Sequence, residues 1–448
     1  NRILIDTGQR DAINQAIQLP NTKAESIAWN EDQKGIYTAT YTALLPGTGL
    51  KAQLQMSGWA SALTSNDYSI SGDAASAQIV AMQVTTGNPD VLANGSDRHT
   101  VNVRVEDQFG NVLPEQTVTF TVTKGAAVFA NAGQSADIRT DAHGMAEVDL
   151  SSTVADASTV EAKINQSSDS KTVNFIADVS TAQVAELVVT QDGSVADGST
   201  ANMLRVRVTD VFGNVLAGQT VSVLADNGAT VAPTVITEPD GTVEISVTSQ
   251  TAGTSAVTAS INNSSQSRNV TFIADVSTAQ IADLVVTRDN SVADGAMANT
   301  LRVRVTDAFG NALNGQTVSV LADNGATVTP TVTTEPDGTV EISITSQTAG
   351  VSAVTATINS STQSQNVTFI ADVSTAKIAD LVVIKDGSEA DGSTANTLRA
   401  RVTDAFGNTL GGQTVSVLAD NGATVAPTVT TQPDGTVEIS VTSQTAGT

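Results

Sequence analysis

The stretch NMLRVRVTDVFGN, residues 202–214, decides the fold. Leu204, Val206 and Val208 alternate with Arg205 and Arg207. That period of two places one side of a strand in a core and the other in water. The strand then breaks into Asp-x-Phe-Gly-Asn. Gly213 supplies a positive φ at little steric cost. Asp210 accepts backbone N–H groups in an Asx-type turn, and Asn214 tolerates left-handed geometry. Phe212 is expected to cap the end of the core. Read this way, the pentapeptide is a turn between two strands. An acid, a glycine and an amide in a fixed frame would equally suit a metal loop, so the other copies matter.

There are three more. DQFGN stands at 107–111 and DAFGN at 307–311 and 404–408. The second position is Gln108, Val211, Ala308 or Ala405, so it carries no fixed chemistry. Asp210, Asp307 and Asp404 are 97 residues apart, and Asp107 precedes Asp210 by 103, which implies a short insertion in that first unit. FIADVSTA begins at Phe175, Phe272 and Phe369 on the same interval. Self-similarity on this scale means an array of domains. The expected units are 78–180, more divergent, and 181–277 and 278–374, identical at roughly four-fifths of positions. Residues 375–448 read as a partial unit lacking its C-terminal strands, and residues 1–77 as one lacking its N-terminal strands. The chain is therefore expected to begin and end inside domains of a longer protein.

Within 181–277, six segments are rich in Val, Ile and Thr: 184–190, 202–210, 219–225, 242–249, 255–261 and 269–274. A seventh, short one is expected around 229–237. Turn signals (DGS, FGN, DNG, EPDG, TAG, NNSS) separate them. In EPDGT and QPDGT, proline fixes φ and Asp-Gly closes the turn. Six or seven short strands in about 97 residues, with no need of a helix, predict an antiparallel sandwich of immunoglobulin size. The fold class is thus all-β, a tandem array of immunoglobulin-like antiparallel β-sandwiches.

Composition narrows the function. Across 448 residues there are 46 acidic and 21 basic side chains, for a formal net charge of −25. That charge repels nucleic acid and anionic headgroups and keeps an exposed protein dissolved. Aromatics are only 3%, and both tryptophans, Trp29 and Trp59, lie early in the chain. There is no cysteine, so thiol chemistry and disulfides are excluded. No run of apolar residues is long enough for a membrane helix, and no signal peptide opens the chain. The two histidines, His99 and His143, are not repeated and read as surface or turn residues. No GxSxG, HExxH or phosphate-binding glycine motif occurs. No catalytic, cofactor-binding or metal-ligating residue is assigned, and an enzyme is not expected.

The chemical alternative is calcium at the domain junctions. Asp178, Asp275 and Asp372 recur where units meet, and Asp197, Asp294 and Asp391 recur in ADG turns. Calcium takes six to eight oxygen ligands, yet no DxDxDG series is present.

An alternating strand ending in VTDxFGN, a QTVSV strand, a DG turn, then VEISVTSQTAGT and a final VTF strand form a specific series. The series resembles the bacterial Ig-like domain, group one, of the intimin/invasin family. It covers four units and most of a fifth; the phenylalanine before the turn glycine departs from the family's usual small or polar residue. The resemblance implies anchoring by an N-terminal β-barrel in the outer membrane of Gram-negative bacteria, with Ig-like domains projecting outward and often a C-terminal host-binding tip. Neither barrel nor tip is visible in this sequence. The expected function is therefore a semi-rigid extracellular stalk of an adhesin, with host cells or other bacteria as partners through regions outside the chain. The alternative is that the Ig-like domains themselves bind a host receptor or mediate contacts between bacteria. Near-copies argue for length as the useful quantity. The divergent region 1–180, with both tryptophans and both histidines, is the expected place for anything unique.

Overall fold

The computed structural model describes residue 13, residues 17–23 and residues 29–448. The expected partial unit 1–77 therefore lies partly outside the described residues. No helix among the described residues is long and apolar enough to cross a membrane.

Residues 181–277 show how each unit is built. Nine strands follow in order: β1 (Gln183–Gln191), β2 (Ser194–Val195), β3 (Asn202–Thr209), β4 (Thr220–Ala225), β5 (Thr230–Val231), β6 (Thr234–Ile236), β7 (Thr242–Thr248), β8 (Gly253–Ile261) and β9 (Ser264–Ile273). They form a four-stranded sheet in the order β1-β3-β7-β5 and a five-stranded sheet in the order β2-β9-β8-β4-β6. Residues 278–374 and 78–180 repeat both sheets in the same order.

The core lies between the sheets and follows the alternation. Leu204, Val206 and Val208 are buried, as are Val221, Val223, Ile245, Val247, Val257, Ala259, Val270 and Phe272. Arg205 and Arg207 face water. Each fully buried aliphatic side chain contributes about 1.5–3 kcal/mol, so this set is the main stabiliser of the unit. Gly241, in the EPDG turn, has φ +75°, and a Cβ there would come within 2.9 Å of the Val208 carbonyl. That close approach explains why the turn closes on glycine.

The structure departs from the sequence reading in four ways. The expected strand around 229–237 is two short strands, β5 and β6, one in each sheet. Strand β2 was not expected, and it pairs in parallel with the end of β9 (Ser194 with Phe272, Val195 with Ile273). Its two residues are too few to show a period. A three-residue 3-10 turn, Val179–Thr181, leads into β1 and is capped by Asp178. Finally, His99 is buried rather than at the surface. It takes the place that Asn202 holds in the next unit. The Nδ2 of Asn202 donates to the Thr271 carbonyl, and Nε2 of His99 lies 2.8 Å from the Asn174 carbonyl. His143 sits in the exposed turn at 140–144, as expected.

The insertion in 78–180 lies between Gly125 and Gly144, where the corresponding glycines of the next unit are Gly228 and Gly241. It lengthens the edge strand to Ser135–Arg139. Residues 375–448 retain three- and two-stranded sheets without counterparts of β8 and β9. Ile378 and Leu381 are 56% and 59% exposed there, against 4% and 3% for the equivalent Ile281 and Leu284.

Candidate functional site at the domain junctions

The DxFGN turn closes the strand β3 and lies against the preceding unit. The backbone forms a tight loop: Asp210 N–H donates to the Asn214 carbonyl at 2.9 Å, and Gly213 N–H to the Asp210 carbonyl at 3.1 Å. Gly213 holds φ +92°. The Asp210 carboxylate is wholly buried yet fully used. Its Oδ1 accepts the N–H groups of Phe212 and Asn214, both at 2.9 Å. Its Oδ2 accepts the Asn214 side-chain Nδ2 at 2.8 Å and the Asp178 N–H at 3.2 Å. One carboxylate thus fastens the turn to the segment that enters the domain. A buried charge is tolerable only with such partners.

Asn214 carries the link onward. Its Nδ2 donates to the Thr153 carbonyl at 3.0 Å, and its Oδ1 accepts the Ala155 N–H at 2.8 Å. Both acceptors and donors belong to the previous unit. The next junction repeats this with Asn311 on the Gln250 carbonyl (2.9 Å) and the Ala252 N–H (2.8 Å). Asn408 does the same with Gln347 (2.9 Å) and Ala349 (2.8 Å). The receiving loop is itself pinned by a buried serine: Ser249 Oγ accepts the Thr251 N–H and donates to the Thr251 carbonyl, both at 2.9 Å.

This corrects two expectations. Asn214 is not in left-handed geometry; its side chain spans the junction instead. The turn phenylalanines do not cap the core. Phe109, Phe212, Phe309 and Phe406 are 67%, 49%, 47% and 46% exposed. The core aromatic shared by the three complete repeats is Phe175, Phe272 or Phe369, whose place in β9 or its equivalent points inward next to Val173, Val270 or Val367; residues 78–180 bury Phe120 and Phe129 as well. Exposed aromatics are therefore present at every junction, contrary to the sequence reading. The constant asparagine against a variable second position was the available signal for the clasp. Which carbonyl it would meet was not in the sequence.

The acidic residues considered for calcium are otherwise engaged. Asp178 Oδ1 accepts the Ser180 N–H and hydroxyl at 3.0 and 2.6 Å. Asp275 and Asp372 cap the following turns in the same way. Asp197 Oδ1 accepts the N–H groups of Ser199 and Thr200 at 2.7 and 2.6 Å, and Asp391 holds the equivalent turn. Asp294 accepts the N–H groups of Ala296 and Met297. The hydrogen bond from the Thr200 hydroxyl, with those from the backbone, holds Asp197 far below the usual carboxylate range. The charge of Asp197 opposes the lowering at Asp275, and that of Asp372 the lowering at Asp294, each as the smallest of the effects there. Among the described residues no three acidic or histidine side chains converge. Two carboxylates already committed to turn N–H groups do not make a six- to eight-oxygen site, so the donor set does not fit calcium.

The early aromatics do converge in part. Trp29, Tyr37, Tyr41 and Tyr68 line a cavity of about 500 Å³, with Trp29 edge-on to Tyr41 at 6.3 Å. Trp59 is not among its lining residues.

Against this geometry, the relationships of the chain are consistent. The model of the bacterial Ig-like domain (group 1) matches residues 81–176, 184–273, 281–370 and 378–448. The inverse autotransporter adhesin YeeJ of Escherichia coli (strain K12) is 30% identical over 98% of the chain. The chain spans only 19% of that relative's length. Among solved structures, an integrin-binding bacterial invasin is 21% identical with a TM-score of 0.41, covering 82% of this chain and 74% of that one. InvD of Yersinia pseudotuberculosis is 16% identical with a TM-score of 0.40, covering 66% and 98%. The D0-D1 domain of intimin is 24% identical with a TM-score of 0.20, covering 42% and 98%. The chain belongs to the bacterial Ig-like domain (group 1) family and is a tandem array of its members.

Proposed function

We propose that this chain is a stalk segment of a bacterial surface adhesin, a semi-rigid spacer that carries an adhesive region away from the cell. The observation that carries the reading is the asparagine clasp recurring at Asn214, Asn311 and Asn408 between successive units. A flexible linker would let neighbouring domains swing; direct hydrogen bonds between them, across a junction with no Gly/Ser run, hold one orientation. The units are 78–180, 181–277 and 278–374, with partial units 1–77 and 375–448. Anchoring is through an N-terminal outer-membrane β-barrel outside this chain, and the partners are host cells or other bacteria met by regions also outside it. In solution scattering, the longest dimension should grow with each added repeat. A compact particle, or a length that does not change with repeat number, would rule the stalk out.

A second reading has one observation in its favour: each junction exposes a phenylalanine at the same place in the repeat. Exposed aromatics are the usual anchors of protein interfaces. If the repeats themselves bind, residues 78–374 alone should attach saturably to host cells, and Phe109→Ser, Phe212→Ser and Phe309→Ser together should abolish it.

A further inference from the structure

The four junctions are not alike. We propose that the junction between residues 1–77 and 78–180 is a hinge, bending more freely than the three that follow. Aligning the receiving loops places Leu44 with Thr153, Gln250 and Gln347, which offer the carbonyl. Two residues on, Pro46 stands where Ala155, Ala252 and Ala349 donate their N–H. Proline has no N–H to give. Asn111 accordingly makes a single, longer link, Nδ2 to the Leu44 carbonyl at 3.3 Å, and among the described residues its Oδ1 has no counterpart of the 2.8 Å bond from Ala155.

Three further replacements distinguish this junction. Ala43 stands where the buried serines Ser152, Ser249 and Ser346 pin the loop, so that hydroxyl is absent. The loop is held instead by Asn21, whose carbonyl accepts the N–H groups of Leu44 and Leu45 at 2.8 and 3.2 Å. Like the serine pins elsewhere, those bonds tie the loop to its own unit, and Asn21 Nδ2 adds a third by donating to the Pro46 carbonyl at 3.1 Å. Gly72 replaces Ala177, Ala274 and Ala371, which pack their methyl groups onto the core of the following unit. At Gly72 the Leu113 side chain of the following unit fills that space instead: a Cβ there would run into Leu113 Cδ2, so the packing is kept by the close approach that glycine permits. Ala75 replaces Ser180, Ser277 and Ser374, so the Asp73 carboxylate caps its turn through the Ala75 N–H without a hydroxyl. The buried-carboxylate half of the junction persists, with Asp107 Oδ2 accepting the Asp73 N–H at 3.2 Å. The first junction keeps its pivot and its packing, gains the bond from Gln108 Nε2 to Asp73 Oδ2 at 3.4 Å, and loses the second half of the asparagine clasp.

This rests on junction geometry and stands apart from the stalk reading. The chain has no cysteine, so spin labels can be placed freely. In the full chain, Lys171→Cys paired with Lys34→Cys spans the first junction, and Lys171→Cys paired with Arg268→Cys spans the second. Pulsed dipolar spectroscopy should give a broader distance distribution across the first than across the second. Pro46→Ala should narrow the first, and Ala155→Pro should broaden the second with the melting temperature of the chain little changed. Equal widths in the parent chain would overturn the hinge, as would a first-junction width unmoved by Pro46→Ala.

Discussion

Ser255 and Ser352 bury their hydroxyls with no hydrogen-bond partner among the described residues. The equivalent Ser158 is satisfied, because Asp156 accepts its hydroxyl at 3.1 Å and the Ala127 N–H donates to it at 3.2 Å. In the near-copies that aspartate is Gly253 or Gly350. An unmet buried hydroxyl costs free energy, so Ser255→Ala should stabilise its unit by about 1 kcal/mol, whereas Ser158→Ala should destabilise by a similar amount. Denaturant melts of the two variants check this, and a loss at Ser255 would show that the hydroxyl has a partner. The two phenylalanines of residues 181–277 should separate in the same assay. Phe272→Ala empties the core and should cost about 3–5 kcal/mol. Phe212→Ala, half exposed in the turn, should cost under about 1 kcal/mol.

At the scale of the element, the turn after β3 is where local and long-range order meet. In two copies of this turn, at Asp107 and Asp404, the aspartate is stabilising as a carboxylate. For Asp107, burial pushes the pKa up, but the hydrogen bonds accepted from the Asn111 side chain and backbone, Asp73 and Phe109 outweigh it, so the net shift is downward. Asp404 follows the same pattern with Asn408, Asp372 and Phe406. A carboxyl whose folded pKa lies below its unfolded value adds stability at pH above the unfolded value, about 3.9. That contribution is lost as the pH falls further, through the folded value. The melting temperature should therefore be flat from neutral pH to about 5 and fall below about 4. Asp107→Asn should lower it at neutral pH and flatten the acid slope of the unit 78–180. An unchanged slope would mean that other carboxylates set the acid limit.

For the whole molecule, length is the testable quantity. A sandwich built on strands of about eight residues plus loops spans roughly 40 Å, and the full array on the order of 150–200 Å. Deleting residues 278–374, one period, should join two equivalent junctions and shorten the particle by about one unit in scattering. No shortening would mean that the units fold back on one another. The period, the strands and the fold class were legible because a core between two sheets imposes a period of two, and the 97-residue interval multiplies that signal. Gly213 and Gly241 were legible as turn residues because positive φ is a local demand. The orientation of the turn phenylalanine, the parallel pairing of Ser194 and Val195, and the burial of His99 were not. Each depends on what a distant segment places beside it. The sequence by itself determined that this is an array of all-β units, through local periodicity and turn chemistry. Only the tertiary structure decided that Asn214, Asn311 and Asn408 clasp the unit before them and that Asn111, facing Pro46, does so by one bond. Hydrogen bonds between residues some sixty positions apart depend on where the chain places them, and no local pattern encodes that.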